Sequence, residues 1–262
     1  MQELTDTQNE RDDRNLPIDC VGIRSLKHPV SVVVRGGDLQ HTVADVALAV
    51  NLPRESRGTH MSRFVEVLNA HGNRLDVRAL GEVPRQLCDR LAAERARVSY
   101  QFSFFRVKKA PVTEKEGMMD YEVCLEMEAD KTSGESHLLT VMVPVTTLCP
   151  CSKAISDRGA HNQRGVVTLS VRSSGPMWIE DAIDLVEQSA SSELYSLLKR
   201  PDEKEVTERA YDRPVFVEDL VRNVAQRAET QGSISWYRVE AENYESIHNH
   251  SAYARIENEV GL

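Results

Sequence analysis

The chain has 262 residues, of which 40% are hydrophobic and 28% are charged, and its formal net charge at pH 7 is −9. This length suits one large domain or two smaller ones, because domains commonly span about 100 to 150 residues. The sequence lacks an apolar run near the roughly 20 residues of a membrane helix, and its acidity disfavours a broad nucleic-acid surface. We therefore expect neither a membrane nor a nucleic acid as partner.

The N-terminal residues 1–15 are polar and acidic. A secretory or transit peptide would instead be basic and then apolar or amphipathic. We expect this tail to be disordered and the protein to be cytoplasmic. The five cysteines form an odd count without regular spacing, and in a reducing compartment clustered thiols are more often ligands or nucleophiles than disulfide partners.

The first half of the chain, residues 16–134, is predicted to contain four strands and two helices. Alternating apolar residues predict strands at residues 30–35, 41–52, 98–109 and 121–129. Gly36 and Gly37 separate the first two strands as a hairpin turn would. Apolar residues at helical spacing predict helices over residues 59–69 and 84–97.

The second half, residues 135–262, is predicted to repeat this plan. Its strands are expected at residues 137–146, 165–172, 233–243 and 251–258, and its helices at residues 179–198 and 217–230. The order β-β-α-α-β-β in each half indicates an α+β fold, in which an antiparallel sheet carries a helix pair on one face. Open sheets leave unpaired edges, so we also expect the protein to form oligomers.

Two thiols lie where the strand at 137–146 passes into a loop. Cys149 and Cys151 are one residue apart, unlike the two-residue gap of structural zinc knuckles, and no second close cysteine pair exists in the sequence. A closed four-cysteine site is therefore disfavoured. An open site with few ligands or a thiol nucleophile fits better, and His161 is the nearest further ligand.

Further polar candidates lie in two later segments. His248 and His250 occur in ESIHNHSAY, between the last two strands, and Glu203 and Glu205 occur in RPDEKEVTE, a polar insertion between the helices. Each has an ordinary alternative: the histidines suit a polar hairpin turn, and the glutamates suit a solvated surface. The segment GTHMSRF similarly suits either simple helix capping or an anion site that includes Arg63.

The chain resembles the prokaryotic type IB GTP cyclohydrolase I family in four separated strings: GTHMSRFVEVL, LCPCSKAISDRGAHNQRG, SSELYSLLKRPDEKEVTERAYDRPVFVEDLVR and VEAENYESIHNHSAYA. TLCP alone is shared with the deazaguanine nitrile reductases. The resemblance implies the tunnelling fold in tandem copies and a homotetramer with active sites at subunit interfaces. It also implies conversion of GTP and water to 7,8-dihydroneopterin triphosphate and formate, the entry step of folate synthesis.

The same resemblance implies a set of site residues. Cys149, His161, Glu203 and His248 match the metal neighbourhood of the family, with His161 as a fourth ligand or a proton donor. Glu218 in FVED matches the carboxylate that anchors the guanine or pterin ring. A mixed thiolate, imidazole and carboxylate set is compatible with zinc, and with manganese or iron when water completes the shell.

The triphosphate of GTP requires cations. Lys153, Arg164, Arg63 and His60 are candidates by their positions in the loop and helix-start motifs. Cys149 and His161 are the predicted catalytic residues, with Cys149 interpreted as a ligand rather than a nucleophile. Two alternatives stay open: a thiol-nucleophile enzyme of the same fold acting on a deazapurine, and a non-catalytic oligomer that binds purines. Cys151 has no assigned role.

Overall fold

The structure, a computed structural model, describes residues 6–77, 81–175 and 177–260. Its described residues form two compact units that do not simply follow one another along the chain. The first unit contains the described residues within Met1–Val33, His41–Phe102 and Cys124–Leu138. The second contains those within Val34–Gln40, Ser103–Val123 and Leu139–Leu262.

Seven elements lie in the N-terminal half of the chain: β1 (Ile18–Val33), β2 (Leu39–Leu52), α1 (Met61–His71), β3 (Arg74–Leu75), α2 (Glu82–Arg90), β4 (Arg95–Lys109) and β5 (Glu116–Asp130). In the first unit the strand order is β3-β1-β2-β4-β5, with β1 and β3 parallel and β2 and β4 antiparallel. The helices α1 and α2 pack against each other, and α1 also contacts β1.

Nine elements follow: β6 (Gly134–Leu148), α3 (Pro150–Ile155), β7 (Asn162–Ser173), α4 (Ile179–Glu187), β8 (Ser192–Glu193), α5 (Arg200–Asp212), α6 (Val217–Glu229), β9 (Ile234–Tyr244) and β10 (Ser251–Glu259). In the second unit β6, β7, β9 and β10 are neighbours in that order, and every pairing among them is antiparallel. The short strand β8 pairs with β6.

The core of the second unit forms between this sheet and its helices. Along β6, Val141, Val143 and Val145 are fully buried, because successive strand residues point to opposite faces of the sheet. Helix α6 buries Val217, Leu220, Val221, Val224, Ala225 and Ala228. This spacing of three and four residues places one apolar stripe on the helix, and α6 packs that stripe against β9 and β10.

The predicted α+β class is confirmed, and all eight predicted strands are present. The largest difference among the strands is β1, which begins at Ile18 rather than at residue 30. All of its first twelve residues are exposed or half-buried, so they lack the alternation of buried and exposed positions that reveals a strand in sequence. The tandem organisation, with a boundary between residues 134 and 135, stays a prediction.

The predicted helix over residues 179–198 is wrong in its second half, because α4 ends at Glu187. Serines after this point bond to the backbone: Ser189 Oγ donates to Leu185 O at 2.7 Å, and Ser191 Oγ accepts from Leu148 N–H at 3.0 Å. Such bonds compete with helix continuation. The helix predicted over residues 84–97 likewise ends at Arg90, before β4 begins.

The polar insertion predicted around Glu203 and Glu205 is the helix α5. Its charged residues concealed a helix that has only two buried positions, Asp202 and Ala210. Pairs four residues apart support the exposed face, with Lys204 Nζ 3.7 Å from Glu208 and Arg209 3.4 Å from Glu205.

The tail predicted to be disordered is partly ordered. Residues 7–9 form one 3-10 turn, and Asp12 N–H donates to Glu55 O at 3.0 Å. Gln8 Nε2 also donates to Thr59 O at 3.1 Å. These hydrogen bonds hold the segment against the loop before α1, while residues 1–5 lie outside the described residues. Within the described ranges, none of the helices is long and apolar enough to cross a membrane.

Candidate active site

A cavity of about 250 Å³ lies in the second unit, where β6, β7, α6 and the β9–β10 hairpin meet. Its lining includes Cys149, His161, Glu218 and His248, four of the residues selected from sequence. Cys149 and His161 lie at the ends of β6 and β7. Glu218 lies at the start of α6, and His248 lies in the hairpin. Gln163, Asn243, Glu245 and His250 also line it.

Cys149 and His161 are fixed to one another through Ser152. Cys149 precedes α3, and its Sγ accepts a hydrogen bond from Ser152 N–H at 3.4 Å. The N–H of Cys149 donates to His161 O at 3.1 Å, and the N–H of His161 donates to Ser152 Oγ at 3.1 Å. The end of β6 and the start of β7 thus hold a thiol and an imidazole at the same cavity.

The imidazole of His161 has two polar neighbours. Its Nδ1 lies 3.0 Å from Gln163 Oε1 and 3.9 Å from Glu245 Oε2. Gln163 Nε2 in turn donates to Thr147 Oγ1 at 2.9 Å. The His161 side chain is only 15% exposed, so these contacts restrict the orientation of its ring.

The β9–β10 hairpin contributes two exposed histidines. The rings of His248 and His250 stack with centroids 5.1 Å apart and planes at 18°. Both residues line the cavity. The histidines therefore lie in a polar turn, and this turn borders the cavity, while a role as ligands stays a prediction.

Glu218 lies in the first turn of α6 and is exposed. Within the described part of the chain its carboxylate has neither a hydrogen bond nor an ion pair. A carboxylate that is left free beside a cavity can accept hydrogen bonds from a ligand.

Asn243 is a buried polar group at the same cavity that sequence reasoning did not select. It is 2% exposed, and its Oδ1 has no hydrogen-bond partner among the described residues. Gly165 lies opposite it on β7, and a Cβ built there would be 2.3 Å from Asn243 Oδ1. A side chain at position 165 would therefore displace this amide.

Glu203 does not line the cavity. It is exposed in the first turn of α5, next to Asp202. Asp202 Oδ1 accepts from the N–H groups of Val112 and Thr113 at 2.9 and 2.8 Å, and its Oδ2 accepts from Lys199 N–H at 2.9 Å. Burial opposes the ionisation of Asp202, but hydrogen bonds from Thr113, Lys199 and Val112 prevail and hold its pKa well below its usual range. The start of α5 is thus fixed beside Glu203.

The described residues contain no group of three His, Cys, Asp or Glu side chains placed to hold a metal ion. The donor types nevertheless fit a divalent metal, since thiolate, imidazole and carboxylate are its common protein ligands. Three of the four predicted ligands, Cys149, His161 and His248, line one cavity. The metal and its ligand set stay predictions.

The predicted phosphate-binding cations lie outside the lining of this cavity. Lys153 Nζ donates to Tyr211 O and lies 4.1 Å from the centre of the Tyr211 ring. Arg164 is exposed on β7. His60 and Arg63 belong to the first unit, where His60 Nε2 lies 3.2 Å from Asp6 Oδ2. Their roles toward GTP stay predictions.

A second cavity of the same unit, about 380 Å³, has a mainly polar lining in which several charged side chains form ion pairs with one another. Lys108 Nζ lies 2.8 Å from both Glu187 Oε1 and Glu193 Oε2. Tyr121 donates its hydroxyl hydrogen to Glu187 at 2.8 Å, and burial raises the pKa of Tyr121. Because these charges are already paired, we assign this cluster to the stability of the unit.

Comparison with known proteins identifies the family. A family model described as type I GTP cyclohydrolase folE2 matches residues 4–254. The chain belongs to this family. It is 60% identical to the GTP cyclohydrolase FolE2 of Akkermansia muciniphila over 262 residues, which cover 99% of each chain. It is also 53% identical to the GTP cyclohydrolase FolE2 of Nitrosococcus oceani, over 98% of this chain and 96% of that protein.

Among solved structures, this member of the FolE2 family is similar to urate oxidases. The uricase of Arthrobacter globiformis matches 98% of this chain and 96% of its own, with a TM-score of 0.51 and 10% identity. A hyperthermostable mutant of the Bacillus sp. TB-90 urate oxidase matches 92% of this chain and 98% of its own, with a TM-score of 0.54 and 8% identity. At such identities the likeness concerns the fold alone and supports a tunnelling-type architecture.

Proposed function

We propose that this protein is a type IB GTP cyclohydrolase I, which converts GTP and water to 7,8-dihydroneopterin triphosphate and formate at the start of tetrahydrofolate synthesis. The observation that carries the proposal is the meeting of Cys149, His161 and Glu218 at one cavity in a chain of the FolE2 family. A cavity that combines a thiol, an imidazole and a free carboxylate offers both ring recognition and proton transfer.

Glu218 recognises the guanine ring in this proposal. Its two oxygens accept hydrogen bonds from the ring N1–H and the exocyclic amine, a bidentate and charge-assisted arrangement. The exposed carboxylate lacks a cation among the described residues, so its acceptor capacity is available to the ligand.

Cys149, His248 and Glu203 would hold a divalent metal, which is zinc, manganese or iron, with His161 either as a fourth ligand or as a proton-transfer group beside it. When bound, such an ion lowers the pKa of a water molecule toward about 7 and so supplies a nucleophile at neutral pH. Cys149, His161 and His248 support this set because they line one cavity and are residue types that bind divalent metals. Glu203 does not line the cavity, and its distance from a bound metal would depend on the position of α5.

His161 moves protons in the reaction. Water adds to carbon 8 of the purine, and the ring nitrogen N7 takes up a proton as the carbon–nitrogen double bond is lost. Imidazole is suited to this transfer because its usual pKa lies near neutrality. A second water then releases formate, and reclosure of the ring with the rearranged ribose expels one water, so the net reaction consumes one.

The proposal includes a cytoplasmic homotetramer with active sites at subunit interfaces. The terminal strand β10 supports an assembly, because it ends the strand order of its unit and most of its residues are exposed. An edge of this kind pairs readily with another chain. A second copy of the chain would then complete each site.

The experiment supplies purified protein with GTP and measures formate together with the fluorescent pterin that forms on oxidation. We expect both products with added Mn²⁺ or Zn²⁺ and neither after chelation. Turnover that survives chelation and is lost in Cys149→Ala would identify a thiol-nucleophile enzyme instead. GTP binding without any product would identify a purine-binding oligomer.

A further inference from the structure

A buried glutamine connects His161 to the neighbouring strand. Gln163 Oε1 lies 3.0 Å from His161 Nδ1, and Gln163 Nε2 donates to Thr147 Oγ1 at 2.9 Å. Gln163 is 8% exposed and Thr147 is fully buried. We call this series of three side chains the glutamine bridge.

Strand geometry produces the glutamine bridge. Thr147 on β6 lies directly opposite Gln163 on β7 in the antiparallel register. Directly opposite residues point to the same face and interact through their side chains. His161 is two residues from Gln163 and therefore shares that face. The bridge thus follows from the pairing of two strands and does not depend on a mobile surface contact.

The bridge has a direction. The amide nitrogen of Gln163 faces Thr147, so its carbonyl oxygen, which can only accept, faces His161. The Nδ1 of His161 must then be the donor, and the neutral ring has no proton on Nε2. Glu245 Oε2, at 3.9 Å from Nδ1, is too distant for a hydrogen bond but adds negative charge on the same side.

We propose that Gln163 is a positioning residue for His161. It holds the ring in one orientation and keeps the proton on Nδ1, so that the lone pair of Nε2 is available to the metal or to a proton. Its role in turnover rests on the proposed function, whereas the orientation of the ring does not. Histidines that bind metals commonly donate their other N–H to a neighbouring acceptor, which fixes the ring and raises its basicity. Gln163 supplies that acceptor here.

The backbone of His161 is held separately from its ring. Its N–H donates to Ser152 Oγ and its carbonyl accepts from Cys149 N–H, both at 3.1 Å. Loss of the Gln163 amide should therefore leave the loop in place and release the ring alone. This separation allows an effect on the ring to be told from an effect on the fold.

The test compares Gln163→Met, which keeps the length of the side chain without a hydrogen-bonding group, with Gln163→Glu, which keeps an acceptor. Thr140→Val is the matched control. Thr140 Oγ1 lies 2.9 Å from Ser170 Oγ, and these residues oppose each other on the same two strands at a position outside the cavity lining. The control removes a cross-strand polar contact of the same kind.

We expect Gln163→Met to lower kcat by about 10- to 100-fold, with the KM for GTP changed less than about threefold. Zinc affinity, measured by competition with a chromophoric chelator, should fall by a similar factor. Gln163→Glu should stay within about fivefold of the wild type, because its carboxylate accepts the Nδ1–H bond. Thr140→Val should match the wild type in every measurement.

Crystal structures of the variants provide a readout that does not depend on activity. The His161 ring should be rotated or disordered in Gln163→Met and unchanged in Gln163→Glu. If Gln163→Met does not fold, Thr147→Val removes the far end of the bridge and should displace the ring in the same sense.

Two results would overturn the inference. One is a His161 ring that keeps its position in Gln163→Met, or in Thr147→Val if that variant replaces it. The other is a Gln163→Glu enzyme worse than Gln163→Met, which would show that the bridge runs in the opposite direction. If the wild type releases no formate from GTP, the proposed function fails, while the ring positions still decide the role of Gln163.

Discussion

Individual residues at the cavity differ in how firmly the protein holds them. His161 is restrained through both its backbone and its ring, whereas Glu218 is exposed. This contrast suits their proposed tasks. A proton-transfer group needs a fixed geometry, and a group that recognises the substrate must be accessible when the substrate arrives.

Glu218→Gln should weaken GTP binding, because the amide replaces one charge-assisted acceptor with a donor. We expect the KM to rise by about 10- to 100-fold, which corresponds to the loss of about 1.5 to 3 kcal/mol from hydrogen bonds to a charged group. Metal content should be unchanged. Steady-state kinetics and elemental analysis measure both effects.

Glu208→Gln is the control for this variant. Glu208 is exposed on α5, and its substitution by Gln removes the same charge from the protein. A Glu218→Gln enzyme with normal KM and reduced metal content would reverse our assignment of its role.

Glu203 and Glu205 provide a matched pair for the metal prediction. Both are exposed on α5, but Glu205 accepts a hydrogen bond from Arg209 at 3.4 Å. Glu203→Gln should lower metal affinity by at least about tenfold, as expected when a ligand is lost, while Glu205→Gln should not. Equal metal affinity in the two variants would remove Glu203 from the ligand set.

The sequence motifs selected Cys149, His161 and His248, which line one cavity, because each stands in a short polar string at the end of a strand. Gln163 stands in the same string as His161, but its partner Thr147 is sixteen residues away. Their contact depends on the register of β6 and β7, which one sequence does not fix. Asn243 was missed for the same reason.

Between elements, a buried electrostatic connection joins β4, α4 and β8 through Lys108. This lysine is 7% exposed at its side chain and contacts Glu187 and Glu193 at 2.8 Å each. Burial raises the pKa of Glu187, and the charge of Lys108 opposes that effect. The charges of these side chains are tolerated in a buried position because the cation and the carboxylates balance one another.

Lys108→Met should destabilise the protein by about 3 to 5 kcal/mol, because it leaves the buried carboxylate of Glu187 without its cation. Denaturation by urea measures this change. Lys109→Met is the neighbouring control: Lys109 is exposed and its nearest carboxylate, Glu116, lies 3.9 Å away. Its loss should cost less than about 1 kcal/mol. Equal losses in the two variants would contradict the role assigned to the buried cluster.

Asp130 links the end of β5 to the following turn and gives a pH-dependent prediction. Hydrogen bonds from the N–H groups of Ser133 and Thr132, with a further one from Arg95, lower the pKa of Asp130 to about 2. Since the pKa is lower in the folded state, the carboxylate stabilises the fold above its unfolded pKa of about 3.9. This contribution is lost as the pH falls through 2.

Asp130→Asn should therefore be less stable than the wild type at pH 7, and the difference should shrink between about pH 4 and pH 2. Thermal unfolding across this range measures it. A difference that is constant with pH would show that ionisation of Asp130 does not contribute.

Helix α5 is an element that the sequence pattern did not predict. A helix is predicted from a stripe of apolar residues, and α5 buries only Asp202 and Ala210. Its position depends on hydrogen bonds from Val112 and Thr113, on a loop about ninety residues earlier in the chain. In contrast, α6 carries a full apolar stripe, and its predicted bounds differ from the observed ones by one residue.

At the scale of the whole molecule, strand alternation predicted the α+β class, and the motifs predicted the family. Neither the strand pattern nor the motifs predicted how the chain is divided into two compact units. Residues 34–40 and 103–123 pack with the second unit, although they precede it in sequence. Long strands such as β4 and β5 contribute to both units, so local patterns carry no sign of the division.

The assembly state is a further prediction at this scale. Sedimentation equilibrium should give about four times the mass of the 29.5 kDa chain, because open sheet edges pair with other subunits. Formate release per chain should fall when dilution dissociates the tetramer. A monomer with full activity would contradict the proposal that active sites lie at subunit interfaces.

Release of formate from GTP should require one metal ion, which Cys149, Glu203 and His248 would hold with His161 as a fourth ligand or as a proton-transfer group beside it. The most direct test titrates metal-free protein with Zn²⁺ or Mn²⁺ and follows both bound metal and formate. We predict that formate release rises in proportion to bound metal and saturates near about one ion per chain, and that Cys149→Ala abolishes both. Full formate release from metal-free protein would show that the reaction does not require the metal.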